Sequence, residues 1–157
     1  MMAKAKAESQ TPTERKKVDA EVKRLIEKLA SSQVRLVASI RRRLRERLPT
    51  AFELVYGYRD WIVISFSPSA KGYEGVLAIH ANDDGVKLYF QRGKELPDPQ
   101  KLLKGSGKQA RWIQVEGLAT LKRKEVDELI EKAIGASSVP FSTTEGGSLI
   151  IQSTTEN

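Results

Sequence analysis

Gly75-Val76-Leu77-Ala78-Ile79-His80-Ala81-Asn82-Asp83-Asp84-Gly85-Val86-Lys87-Leu88-Tyr89-Phe90-Gln91 is the stretch that decides the fold of this chain. Two apolar runs, Gly75 to His80 and Val86 to Gln91, are rich in β-branched and aromatic residues. They flank Asn82-Asp83-Asp84-Gly85, whose residue types favour a tight turn. A connection this short joins antiparallel neighbours, because a parallel crossover needs a dozen residues or more. Two runs of the same character come earlier, Phe52 to Tyr56 and Trp61 to Ser67. Gly57-Tyr58-Arg59-Asp60 separates them, and Pro68-Ser69-Ala70-Lys71-Gly72 follows. A fifth strand is predicted at Arg111 to Val115, and Ser148 to Gln152 has the composition of a further edge strand.

Helical patterns bracket these strands. Thr11-Pro12-Thr13-Glu14 carries a capping box: a threonine N-cap, proline at the first helical position and glutamate at the third. Val18, Val22, Leu25, Ile26 and Leu29 then recur at helical spacing, and Val37, Ile40, Leu44 and Leu48 form a second stripe beyond Ser31-Ser32. Pro49 ends the pattern. The prediction is one kinked helix or two helices across 12–48. A last helix is predicted over Leu121 to Ile134, capped by Thr120 and closed by Gly135, with Val126, Leu129, Ile130, Ala133 and Ile134 facing inward.

Between the fourth and fifth strands lies Leu96-Pro97-Asp98-Pro99-Gln100-Lys101-Leu102-Leu103-Lys104-Gly105-Ser106-Gly107-Lys108. Asp98 as N-cap, Pro99 at the first position and Gly105 at the end predict a short helix over 98–104. The expected class is α+β: a two-layer sandwich, with an antiparallel sheet of about five strands covered on one face by the N- and C-terminal helices. The expected domain is 11–135, between a disordered tail at 1–10 and a flexible tail at 136–157.

The chain has 157 residues, no cysteine, one histidine and a net charge of +7. Without cysteine there is no disulfide, thiolate metal site or thiol nucleophile, and a reducing cytoplasm is compatible. With a single histidine, His80, a zinc site lacks its donors. No serine sits in a nucleophile-elbow context, so no catalytic residue and no cofactor are predicted. No apolar run approaches the ~20 residues of a membrane span, and an apolar signal-peptide core is absent from the first residues. Charge is uneven. Residues 1–48 hold 14 Lys/Arg against 6 Asp/Glu, and residues 49–157 hold 13 against 14. The basic character therefore belongs to the helical N-terminal third.

Several motifs carry a family resemblance. They are Leu48-Pro49-x-Ala51-x-Glu53-Leu54-Val55-Tyr56, Ile64-Ser65-Phe66-Ser67-Pro68, Leu88-Tyr89-Phe90, Leu96-Pro97-Asp98-Pro99, Leu102-Leu103-Lys104-Gly105-Ser106-Gly107-Lys108 and Arg111-Trp112-Ile113. With Leu129-Ile130-x-x-Ala133-Ile134 they span roughly residues 15–135. Together they resemble the YdhG-like domain family, some of whose members are called frataxin-like iron chaperones. The resemblance implies a single antiparallel sheet backed by helices. Iron handling of the frataxin type would need clustered carboxylates. Here the corresponding helices are basic, and Glu14, Asp19, Glu21 and Glu27 each lie within a turn of Lys or Arg, as in surface ion pairs.

Three constellations are candidates for binding. Tyr56, Tyr58, Trp61, Tyr89 and Trp112 fall on predicted strands or their turns, and aromatic side chains on an open sheet face suit a small ligand or a protein partner; the same residues also suit a core. Glu53, at a strand start, either orients that ligand or pairs with Arg59. Lys108 and Arg111 flank the glycine turn, which exposes backbone donors to an anion or simply stops a helix. Finally, Arg35, Arg42, Arg43 and Arg45 point away from the second helical stripe. They are either a solvated face or a set of phosphate contacts for nucleic acid. The leading expectation is a non-catalytic cytoplasmic binding domain, with weak nucleic-acid binding and iron delivery as alternatives.

Overall fold

A computed structural model describes residues 10–154. The tail expected at 1–10 lies outside the described residues except for Gln10, whose side chain is bonded to the backbone N–H and C=O of Leu149. Among the described residues, four α-helices and a six-stranded mixed sheet make up an α+β fold.

Helix α1, Pro12–Ile26, starts as the capping box requires. Glu14 N–H donates to Thr11 Oγ1 at 3.1 Å, and Thr11 N–H donates to Glu14 Oε1 at 3.0 Å. Of the two arrangements open for 12–48, the chain takes two helices. The break falls at 27–30, before the serines, and α2 runs Ser31–Arg47. Asp83, at the tip of the hairpin quoted above, accepts from Ala30 N–H at 3.0 Å and ties the break to the sheet.

Strands β1 (Phe52–Gly57), β2 (Trp61–Ser67), β3 (Leu77–Asn82), β4 (Gly85–Phe90) and β5 (Arg111–Val115) pair antiparallel in chain order. The β3–β4 turn is set by Asn82, whose side chain accepts from Asp84 N–H and Gly85 N–H. Gly85 sits at φ +153°, a backbone conformation that side chains disfavour. Strand β6, Leu149–Thr154, joins the free edge of β1 in parallel, giving the order β5-β4-β3-β2-β1-β6. This corrects three expectations: the sheet has six strands, it is mixed, and 136–157 is not wholly a flexible tail. The long stretch from β5 to β6 is free of the hairpin constraint, so it can deliver a strand in either direction.

Two further differences concern helices. Residues 98–104 form no helix. The Asp98 carboxylate accepts from Leu102 N–H and Leu103 N–H, as a cap would, but Lys101 takes φ +55° and turns the chain instead. Lys104 then exchanges both backbone hydrogen bonds with Trp112. The C-terminal helix is split into α3 (Leu118–Lys122) and α4 (Lys124–Gly135), because Arg123 between them is extended. Thr120 thus lies inside α3 and caps nothing downstream.

The core forms on one side of the sheet. Val22 and Ile26 of α1, Val37, Ile40 and Leu44 of α2, and Val126, Leu129 and Ile130 of α4 pack with Val55, Ile64, Ile79, Leu88 and Ile113. Those five strand residues are cross-strand partners in one row, and partners share a face. Alternate residues point the other way.

Candidate functional site

The other face carries the row Trp112, Tyr89, Ala78, Ser65 and Leu54, of which Ala78, Ser65 and Leu54 are buried and Tyr89 and Trp112 are half-buried, and beside it the row Gln114, Lys87, His80, Val63 and Tyr56. Ala78, opposite Tyr89, is small enough to let large neighbours lean together. The outcome is a line of rings across four strands. Tyr58 stacks on Trp61 with centroids 4.1 Å apart and planes 12° off parallel. His80 stacks on Tyr89 at 3.9 Å. Between these pairs, Trp61 and His80 stand 6.0 Å apart, and on the far side Tyr89 and Trp112 stand 6.5 Å apart. The Lys87 ammonium rests 4.1 Å from the Trp112 ring centroid, with that of Lys104 at 5.8 Å, both within cation–π range.

A hollow of about 430 Å³ opens here, lined by Trp61, His80, Tyr89, Lys87, Asn82 and Gln114, with Asp84 at the hairpin end. Burial, and secondarily the Lys87 charge, push the His80 imidazole down to about 4. At neutral pH His80 is therefore an uncharged flat ring, and the positive charge of the row is that of lysine. Tyr56 is lapped by the loop after β2: a Cβ on Gly72 would stand 2.5 Å from its hydroxyl. Burial, then Tyr58, raises the Tyr56 phenol above its ordinary value.

The predicted site residues are thus divided. Tyr58, Trp61, Tyr89 and Trp112 come together, while Tyr56 shares their face under a cover. Glu53 is corrected outright. It lies on the helix side at 1% exposure and pairs with Arg15, Arg41 and Arg45, not Arg59. Arg111 also falls on the helix-side face, opposite Phe90, and its guanidinium donates to the Gly107 and Ala110 carbonyls, which holds the glycine turn shut rather than offering an anion site. Lys108 is exposed beyond that turn. The arginine set is split as well. Arg45 is bound to Glu53 and Asp19, whereas Arg35 and Arg42 are exposed and Arg43 is half-buried.

Glu53 belongs to a charge cluster beneath the sheet. Arg41, 5% exposed, bridges Glu53 at 3.0 Å and Asp19 at 3.0 Å, and Arg15 reaches Glu53 at 2.8 Å and the Gly147 carbonyl at 2.9 Å. Burial alone would raise the Asp19 carboxyl, but the Arg41 charge and hydrogen bond, helped by Lys23 and Arg45, hold it below its usual range. Among the described residues, no three His, Asp or Glu side chains form a group able to hold a metal ion, and no helix is long and apolar enough to cross a membrane.

Sequence reasoning missed His80, Lys87 and Lys104 as members of the site. The first two were within reach. A two-residue turn pairing Asn82 with Gly85 fixes His80 opposite Lys87 and Ala78 opposite Tyr89. Lys104 was hidden by the helix predicted over 98–104. Comparison with known proteins adds no neighbour: no family model matches the chain, and neither a curated protein nor a solved structure does.

Proposed function

We propose that the chain is a non-catalytic binding domain of the YdhG-like kind, a two-layer α+β sandwich acting in the cytoplasm. Its open sheet face, not the glycine turn, holds a small planar ligand with an anionic group. The observation that carries this is the line of rings from Trp61 to Trp112 with the Lys87 ammonium lying on it. Flat faces offer stacking, the ammonium offers a charge partner, and Asn82 and Gln114 offer hydrogen bonds that fix orientation. The glycine turn is disfavoured because Arg111 is engaged with carbonyls. Nucleic-acid binding through α2 is disfavoured because Arg45 is held by Glu53. Iron delivery is disfavoured because Asp19 is enclosed by three cations.

A thermal-shift screen of flat aromatic carboxylates and sulfonates, read alongside tryptophan fluorescence, tests this. Ligands that quench the indoles and stabilise the fold by about 2.7 kcal/mol at a hundredfold excess over Kd are expected. The effect should vanish in Trp61→Ala and Lys87→Gln and persist in Lys108→Ala. Hits indifferent to the first two changes, or lost only with Lys108, would move the site elsewhere.

A further inference from the structure

Resting on the planar-ligand reading, we infer that the ligand class is single-stranded nucleic acid, whose bases enter the two gaps in the line of rings. Stacked bases repeat at about 3.4 Å, so a base held between two rings needs about 6.8 Å. The ring centroids stand 6.0 Å and 6.5 Å apart with planes tilted by 37° and 35°, so Trp61 and Trp112 must rotate outward to open parallel slots for a base. The closed pairs, at 4.1 Å and 3.9 Å, have no such room. Two gaps separated by the His80–Tyr89 pair suit about two nucleotides of one strand, more than one free nucleotide can fill.

Charge supports a polyanion over a neutral ring. The net charge of the chain belongs to its N-terminal third and not to this face, so the charge that counts is local: two ammonium groups lie on Trp112. Lys87 is the cross-strand partner of His80 and its ammonium lies on Trp112, so it stands at the second gap, within reach of the phosphate of a base inserted there. On binding, its ammonium exchanges the indole face for that phosphate. Asp84 lines the same hollow as Lys87, so the strand's phosphates are placed on the Trp112 side, where the Lys87 and Lys104 ammonium groups lie. Duplex DNA or RNA keeps its bases paired and stacked inside the helix and cannot enter the gaps.

Fluorescence anisotropy with labelled single-stranded octamers of adenylate and thymidylate, at salt from about 50 to 200 mM, decides the matter. Single strands should bind at least about tenfold tighter than a duplex or adenosine monophosphate. Trp61→Ala and Trp112→Ala should each weaken binding roughly 5- to 100-fold. Lys87→Gln should reduce the salt slope by about 0.7, the value for one lost phosphate contact on a single strand. Arg35→Gln with Arg42→Gln should leave affinity within about twofold. Trp61 is 41% exposed, so its variant keeps the test intact if Trp112→Ala fails to fold. Equal affinity for duplex, loss confined to the arginine variants, or indifference to Trp61→Ala overturns the inference. Failure of the octamers alongside Lys87-dependent hits among the aromatic acids also overturns it, while leaving the planar-ligand reading standing.

Discussion

The two faces of one sheet handle polar groups in opposite ways. Along β1, Glu53 and Val55 turn toward the helices, and Leu54 and Tyr56 turn away from them. On the helix side the chain keeps a carboxylate at 1% exposure and surrounds it with Arg15, Arg41 and Arg45. On the open side, the histidine is discharged by burial and stacked on a tyrosine. A charge held by three guanidinium groups fixes where α1 and α2 sit relative to β1. A neutral ring in a line of rings leaves its neighbours free to accept another flat molecule. Interlocked charge pairs lie below the sheet and stacked rings above it, and that division is what makes the open face the candidate site.

Strand β6 is common to both faces, and removing it should have the largest effect. Leu149 is fully buried on the helix side, while Ile150 and Ile151 are half-buried. A fully buried leucine contributes about 1.5–3 kcal/mol. With the two isoleucines and the β1 ladder, truncation after Ser138 should cost about 5 kcal/mol, close to the lower bound of ordinary domain stability. Arg15 would also lose the Gly147 carbonyl. Urea unfolding followed by circular dichroism should lose its cooperative transition. An unchanged midpoint would show that the domain ends at 135 after all.

Next in size is Glu53→Gln. It keeps the shape of the side chain and leaves Arg41, 5% exposed, without the more deeply buried of its two anions. Breaking a buried pair from one side costs about 3–5 kcal/mol. The same substitution should leave ligand binding on the open face nearly unchanged per folded molecule. A loss under about 1 kcal/mol, the range of surface pairs, would mean the cluster is solvated and the contrast between faces is weaker than the geometry implies.

Where the physics is local, the sequence could be read directly. The Thr11–Glu14 box needs residues three apart, and the β3–β4 turn needs four consecutive ones; both are present as expected. Where the outcome depends on distant partners, reading failed. Nothing near Glu53 in the chain announces Arg15 or Arg41, and Arg59, six residues away, looked the natural mate. At 98–104 the cap signal was real, since Asp98 does accept from Leu102 and Leu103. The helix is absent because the next segment is drawn into a backbone bridge with Trp112. Of the candidate site, the aromatic residue types were legible, but the line they form exists only through the cross-strand register.

The last and smallest effect separates the faces by pH. His80 titrates near 6.5 in an unfolded chain and at about 4 when folded, because burial, then Lys87, disfavours its charged form. Between those values the unfolded chain binds more protons than the folded one, so stability rises with pH. The contribution is fully present above pH 6.5 and is lost as pH falls through about 4. Allowing for solvent at the ring edge, the loss attributable to His80 should be about 2 kcal/mol. His80→Phe keeps a ring against Tyr89 but cannot take up a proton, so its urea midpoint should change less from neutral pH to pH 4 than that of the parent chain. Asp19 acts on the other face and in a lower window. Its carboxyl is held below 3.8 by Arg41, so its share is lost only under more acid conditions and is the same in both proteins. Parallel pH profiles for the two chains would mean that His80 is already as exposed folded as unfolded, and the open face would then lack the sheltered ring on which its stacking role depends.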